Sequence, residues 1–155
     1  MSVQLGSMAP DFTLPDSNRT PVTLSEFRGQ KAVLVVFYPF AFSGTCTTEL
    51  CGVRDEIGTY QNDQVQLVAI STDPAHALKA WATEQGYQFP LLSDFWPHGA
   101  VAKSYGVFHE QGGMALRGTF LVDLDGRVTF AEVNEPGAAR DQSAWKRAVG
   151  ALPVG

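Results

Sequence analysis

The chain is poor in cysteine, in positive charge and in long apolar runs, and each shortage removes a class of function. Two of its 155 residues are cysteine, Cys46 and Cys51. That is too few for a disulfide-stapled scaffold, and in a reducing cytosol the pair is unsuited to act as a permanent staple. Nor can two cysteines close a structural zinc site without histidines at matching spacing; His76, His98 and His109 are scattered and form no ligand pattern. Lys and Arg number 11 against 16 Asp and Glu, for a net charge of −5. Without a basic run, nucleic acid is not an expected partner. The best apolar stretch, Ala32 to Tyr38, is far too short to cross a bilayer, so no membrane partner is expected either. The opening residues, Met1 to Gly6, lack a basic segment followed by an apolar one, so no export signal is expected and the cytoplasm is the expected location. What remains for the cysteines is structural filling or redox chemistry.

What is present is globular. At 45% hydrophobic and 17% charged residues the chain can bury a core. Asp11-Phe12-Thr13-Leu14 and Val22-Thr23-Leu24 alternate around a turn and predict an N-terminal β-hairpin. Ala32 to Tyr38 and Gln66 to Ile70 are rich in β-branched residues on both faces, as in strands covered on both sides. Between them Cys46, Leu50, Val53, Ile57 and Tyr60 recur at helical spacing, which completes a β-α-β unit and turns Cys46 inward at the helix start. Asp73-Pro74 predicts an N-cap and first turn for a helix carrying Leu78, Trp81 and Ala82 and stopping at Gly86. A short helix is expected over Pro97 to Tyr105. Asp125-Gly126 predicts a second hairpin, Thr119 to Val122 with Val128 to Phe130. Asp141 is expected to cap a last helix carrying Trp145, Ala148, Val149 and Leu152. This order predicts an α/β fold with a mixed central β-sheet flanked by helices. No linker divides it, so residues 1–155 are expected to form one domain.

Free cysteine is most often a small buried hydrophobe. Three features set Cys46 apart. It stands in the opening turn of a helix, where unpaired N–H groups and the dipole favour a thiolate. The loop before it, Pro39 to Thr45, enters a helix N-terminus and can cradle a partly anionic group, with Pro39 shielding the sulfur and Ser43 offering a hydroxyl. Glu49, three residues on, is either a solvated acid of the first turn or an acceptor that orients a partner arginine.

These residues also resemble a known family. Pro39-x-x-x-Ser43-x-x-Cys46 is similar to the peroxiredoxin active-site pattern, in which Thr is commoner than Ser at the second position. Ala9 to Leu14, Phe89 to Asp94, Tyr105 to Val107 and Arg117 to Asp123 extend the resemblance along nearly the whole chain. Phe95 to Val101 with Phe108-x-Glu110 looks AhpE-like, a subgroup described as working with one peroxidatic cysteine. Glu49 to Asp55 resembles instead the bacterioferritin-comigratory-protein type, with a resolving cysteine five residues after the first. The resemblance implies a thioredoxin-like fold and a thiol-dependent peroxidase for hydrogen peroxide, organic hydroperoxides and peroxynitrite, with no cofactor. It implies Cys46 as nucleophile, with Arg117, Ser43 Oγ and the Cys46 N–H as donors to the peroxide and Pro39 as a shield. It also implies a homodimer, and a thiol reductant such as thioredoxin, mycoredoxin or mycothiol.

Cys51 stays open between two roles, resolving thiol or partly exposed helix residue. Five residues apart on a regular helix, two Cα atoms lie about 8.6 Å apart and about 140° around the axis. A disulfide needs them closer than about 7 Å. Resolution by Cys51 therefore requires unwinding, which Gly44 and Gly52 ease. Arg28 and Arg140 read as surface charges, Trp81 and Trp145 as core, and His98 as a cap or surface residue. Trp96 reads as a pocket or interface residue, and Phe40 and Phe42 as core or dimer contacts. Two other functions compete: a disulfide reductase, whose C-x-x-C spacing differs from the C-x-x-x-x-C found here, and a peroxide sensor or holdase.

Overall fold

A computed structural model describes residues 3–135, 140 and 142–152. The first hairpin pairs β1 (Thr13–Pro15) with β2 (Pro21–Thr23), antiparallel. A five-stranded sheet follows, built from β3 (Ala32–Phe37), β4 (Val65–Ser71), β5 (Leu91–Ser93), β8 (Arg117–Val122) and β9 (Val128–Asn134). Its spatial order is β5-β4-β3-β8-β9. β3 runs parallel to β4 and antiparallel to β8, so the sheet is mixed, as the element order predicts. Two short strands, β6 (Phe108–His109) and β7 (Met114–Ala115), form a separate ribbon.

The alternation of β3 sorts the core into two halves. Leu34, Val36 and Tyr38 pack on one face with Leu50, Leu78, Trp81 and Trp145. Those side chains come from α1 (Gly44–Asp55), α3 (Ala75–Gln85) and α5 (Gln142–Gly150). Tyr60 joins them from the short α2 (Ile57–Tyr60). Val33, Val35 and Phe37 pack on the other face against the N-terminal hairpin and α4 (Ala100–Ser104). Every β3 residue is buried, which is why its sequence is apolar without alternation.

Several boundaries differ from expectation. The stripe from Cys46 to Tyr60 is real, but the helix breaks at Glu56 (φ −122°) into α1 and α2. Pro74, not Asp73, stands at the N-cap of α3, and no side chain caps it. Asp73 is occupied elsewhere: its Oδ2 accepts from the Ala41 N–H at 2.8 Å and the Ser71 hydroxyl at 2.7 Å, so it anchors the loop before α1. Gly86 does end α3, in the left-handed conformation at φ 71° that a Cβ would strain. α4 is shorter than Pro97 to Tyr105: Gly99, left-handed at φ 72°, stands at its N-cap, and Asp94 accepts the Val101 and Ala102 N–H groups. The cap expected of Asp141 lies outside the described residues.

Candidate active site

Antiparallel pairing sets Val36 opposite Thr119, which brings the start of β8 beside the end of β3. The chain leaves β3 through the buried Pro39 and enters α1 at Ser43. Ser43 is the N-cap, and its Oγ accepts from the Cys46 N–H at 3.2 Å. Cys46 thus holds the third helical position, and its N–H is engaged with Ser43 rather than free for a ligand. Phe42, just before the cap, adopts φ 69°, a strained conformation for a bulky residue. Its ring packs on Trp81 with centroids 6.1 Å apart.

Cys46 is fully buried, at 0% exposure. Arg117, also buried, donates from Nη2 to its Sγ at 3.3 Å and from Nη1 to Glu49 Oε1 at 2.6 Å. One rigid guanidinium fork therefore joins sulfur and carboxylate. Glu49 lies in the second turn of α1 and is 5% exposed, so it is no solvated first-turn acid.

Arg140 is the residue that sequence reasoning misplaced. It is not a surface charge: it is 7% exposed and wraps the far side of Glu49. Its main-chain N–H and Nε donate to Glu49 Oε2 at 2.8 and 3.2 Å, and its Nη2 to Oε1 at 2.9 Å. Nη1 bonds the Phe37 and Gly118 carbonyls at 2.7 and 3.1 Å, tying α1 to the ends of β3 and β8. Gln142 Nε2 donates to the Glu49 carbonyl at 3.0 Å. Arg28 is exposed, as its sequence context suggests.

Burial pushes the Glu49 carboxyl up. The Arg140 hydrogen bonds and charge, with the Arg117 charge, outweigh that and hold it below its ordinary 4.5. A carboxylate with a lowered folded-state value stabilises the fold above its unfolded value, and that contribution is lost as pH falls through the folded one. The melting temperature of the protein is therefore expected to fall on acidification below about 4.5, and to fall less steeply in Glu49→Gln. Asp94 acts in the opposite sense: burial, only partly offset by the Val101 and Ala102 N–H groups, raises it. The difference between wild type and Glu49→Gln across a pH series of thermal melts isolates the Glu49 part.

Cys51 is half-buried on the same unbroken helix, and both cysteines are free thiols. His98 bonds the Gly113 carbonyl through Nε2 at 2.6 Å, a structural contact. Trp81 and Trp145 are core residues, whereas Phe40, Phe42, Phe95 and the 81%-exposed Trp96 face outward. No group of three or more His, Cys, Asp or Glu able to hold a metal occurs among the described residues. Among them, too, no helix is long and apolar enough to cross a membrane.

A thioredoxin-like sheet that holds a buried thiol under an arginine at a helix start defines a thiol-redox protein. Comparison with known proteins narrows the class. A family model described as AhpC/TSA matches residues 5–131. Alkyl hydroperoxide reductase E of Mycobacterium tuberculosis is 53% identical over 150 residues, covering 97% of this chain and 98% of that one. Peroxiredoxin Bcp of Escherichia coli is 36% identical over 132 residues, covering 81% and 83%. A crystal structure of the peroxidoxin BcpB from Mycobacterium tuberculosis superposes with a TM-score of 0.84 at 31% identity, over 98% of this chain and 99% of that one. The chain belongs to the AhpC/TSA family of peroxiredoxins and is a thiol-dependent peroxidase.

Proposed function

We propose that residues 1–155 work as one domain that reduces hydrogen peroxide and organic hydroperoxides through Cys46. The observation that carries this reading is the Arg117 fork, with one arm on the Cys46 sulfur and the other on Glu49. Cys46 attacks as the thiolate, the nucleophilic form of a cysteine. It takes one peroxide oxygen, the O–O bond breaks, and the departing alkoxide or hydroxide takes a proton, leaving sulfenic acid and alcohol or water. Arg117 holds the peroxide and stabilises charge on its oxygens as they separate. Ser43 keeps its hydroxyl hydrogen for the substrate while its oxygen caps α1, and Pro39 keeps water from the sulfur. Because Cys46 is buried, peroxide reaches it by parting the loop at residues 40–43, whose Phe40 and Phe42 give organic hydroperoxides an apolar rim.

Cys51 then resolves Cys46. Cys46–SOH and Cys51–SH give a disulfide and water, and an external thiol pair of the thioredoxin, mycoredoxin or mycothiol kind reduces that disulfide. Both cysteines lie on one intact helix, so α1 must unwind locally. The exposed Phe40, Phe42, Phe95 and Trp96 favour a homodimer, and the protein is assigned to the cytoplasm.

Turnover separates this reading from a sensor. With excess dithiothreitol the protein is expected to consume many equivalents of hydrogen peroxide and to reduce insulin disulfides poorly. After one equivalent without reductant, mass spectrometry is expected to find a Cys46–Cys51 disulfide. Stoichiometric consumption that stops at one equivalent would favour the sensor, and persistent Cys46 sulfenic acid beside free Cys51 would remove the resolving role.

A further inference from the structure

The outer side of α1 carries a set of contacts that the attack on peroxide does not use. The Cys51 thiol donates to Gln85 Oε1 at 3.3 Å, and the Tyr87 hydroxyl lies 3.6 Å from the same sulfur. That hydroxyl also reaches the Thr47 carbonyl at 3.5 Å, one turn before Cys51. Arg54 Nη1 donates to the Gln85 main-chain carbonyl at 2.7 Å, about one turn after it. Residues 85–87 therefore hold successive turns of α1 at Thr47, Cys51 and Arg54. Gly86 makes this possible: its left-handed turn ends α3 and presents Gln85 and Tyr87 to the same helix. The grip has a rigid base, because Tyr87 is buried, stacks on Phe89 at 5.0 Å and meets the fully buried Trp81 edge-on at 5.1 Å. Burial and the neighbouring Cys51 push the Tyr87 phenol well up, so its hydroxyl remains a donor at any working pH.

Resting on the reading that Cys51 resolves Cys46, we propose that Gln85 and Tyr87 form a clasp that keeps α1 wound and the Cys51 thiol parked, and that its release sets the rate of resolution. Both are positioning residues. When the clasp opens, the Cys51 sulfur attacks the sulfenic sulfur of Cys46. The S–S bond forms, the S–O bond breaks, and the hydroxyl leaves with the Cys51 proton as water. While it stays closed, the sulfenic acid waits beside any second peroxide and can be oxidised to sulfinic acid. The clasp thus divides Cys46 between recoverable disulfide and overoxidised product.

Gln85→Met removes the acceptor of the Cys51 thiol, and Tyr87→Phe removes the hydroxyl while keeping the ring. Rapid quenching with mass spectrometry follows disulfide formation after one equivalent of hydrogen peroxide and the sulfinic fraction after a large excess. Each variant is expected to form the disulfide about three- to tenfold faster than wild type, the range that loss of one modest hydrogen bond allows. The double variant should be faster still, with the sulfinic fraction falling in step. Val68→Ala, a core truncation on the opposite face of the sheet, controls for general loss of stability and is expected to keep the wild-type partition. Unchanged or slower disulfide formation in both clasp variants, or equal acceleration in Val68→Ala, overturns the clasp and leaves Cys51 as resolver. A wild type that forms no Cys46–Cys51 disulfide overturns the resolving role and the clasp with it.

Discussion

Replacing Arg117 by methionine is expected to lower kcat/KM for hydrogen peroxide by about 10²- to 10³-fold, the usual cost of removing a preorganised donor at a site of developing charge. The geometry argues for an effect of this size. Arg117 is the donor to the buried Cys46 sulfur, and its second arm is locked on Glu49 at 2.6 Å, so it does not have to be ordered during the reaction. Methionine fills much of the same space, and Glu49 keeps its contacts with Arg140, so the fold should survive. Arg117→Lys should recover only part of the rate: it keeps a charge but lacks the fork that spans sulfur and carboxylate. Stopped-flow peroxide reduction measures both variants, and a methionine variant within threefold of wild type would remove Arg117 from the chemistry.

Arg140→Ala should act mainly on stability. Arg140 supplies three hydrogen bonds to Glu49 and joins α1 to the ends of β3 and β8. The main-chain bond survives truncation, but the side-chain donors vanish and leave a buried carboxylate underpaired. Breaking such a pair costs about 3 kcal/mol, which for a chain of this size lowers the melting temperature by about 6–12 °C. The double variant Arg140→Ala/Glu49→Gln should lose less than the two single losses combined, because the charge that Arg140 compensates is already gone. Urea and thermal unfolding test this. A change within about 0.5 kcal/mol, the range of an ordinary surface substitution, would return Arg140 to the surface role that its sequence context suggests.

That contrast shows which parts of the molecule its sequence makes legible. The buried strands β3 and β4, the two hairpins and the stripe from Cys46 to Tyr60 are local patterns, and all of them form, although the first hairpin pairs Thr13–Pro15 with Pro21–Thr23 rather than Asp11–Leu14 with Val22–Leu24, and the helix under the stripe breaks at Glu56. The Gly86 stop forms too, because a left-handed residue is a local requirement. Arg140 had no such signature. It stands outside any helix or strand, two residues before α5, and what buries it is a carboxylate 91 residues away. A physical clue was available all the same. Glu49 falls next to Leu50 on the inward side of α1, and an arginine that spends one arm on the Cys46 sulfur leaves the second oxygen of a buried carboxylate to be paired by another donor. Asp73 failed differently. Its residue type and the following proline suit an N-cap, but a tertiary demand from Ala41 N–H and Ser71 claimed the side chain first. Ser43 combines both cases: its place before the helix was legible, whereas its pairing with the Cys46 N–H follows from the cap geometry itself.

The role of Cys46 as the thiol that attacks peroxide is tested by a single-turnover titration. Reduced protein is mixed with one equivalent of hydrogen peroxide, residual peroxide is followed in time, and the oxidised cysteine is located by mass spectrometry. Wild type is expected to consume the peroxide with the first oxidation at Cys46, and Cys51→Ser to consume it at a similar rate while stopping at Cys46 sulfenic acid. Cys46→Ser is expected to leave the peroxide essentially untouched. Consumption by Cys46→Ser at the wild-type rate, or first oxidation at Cys51, would contradict it.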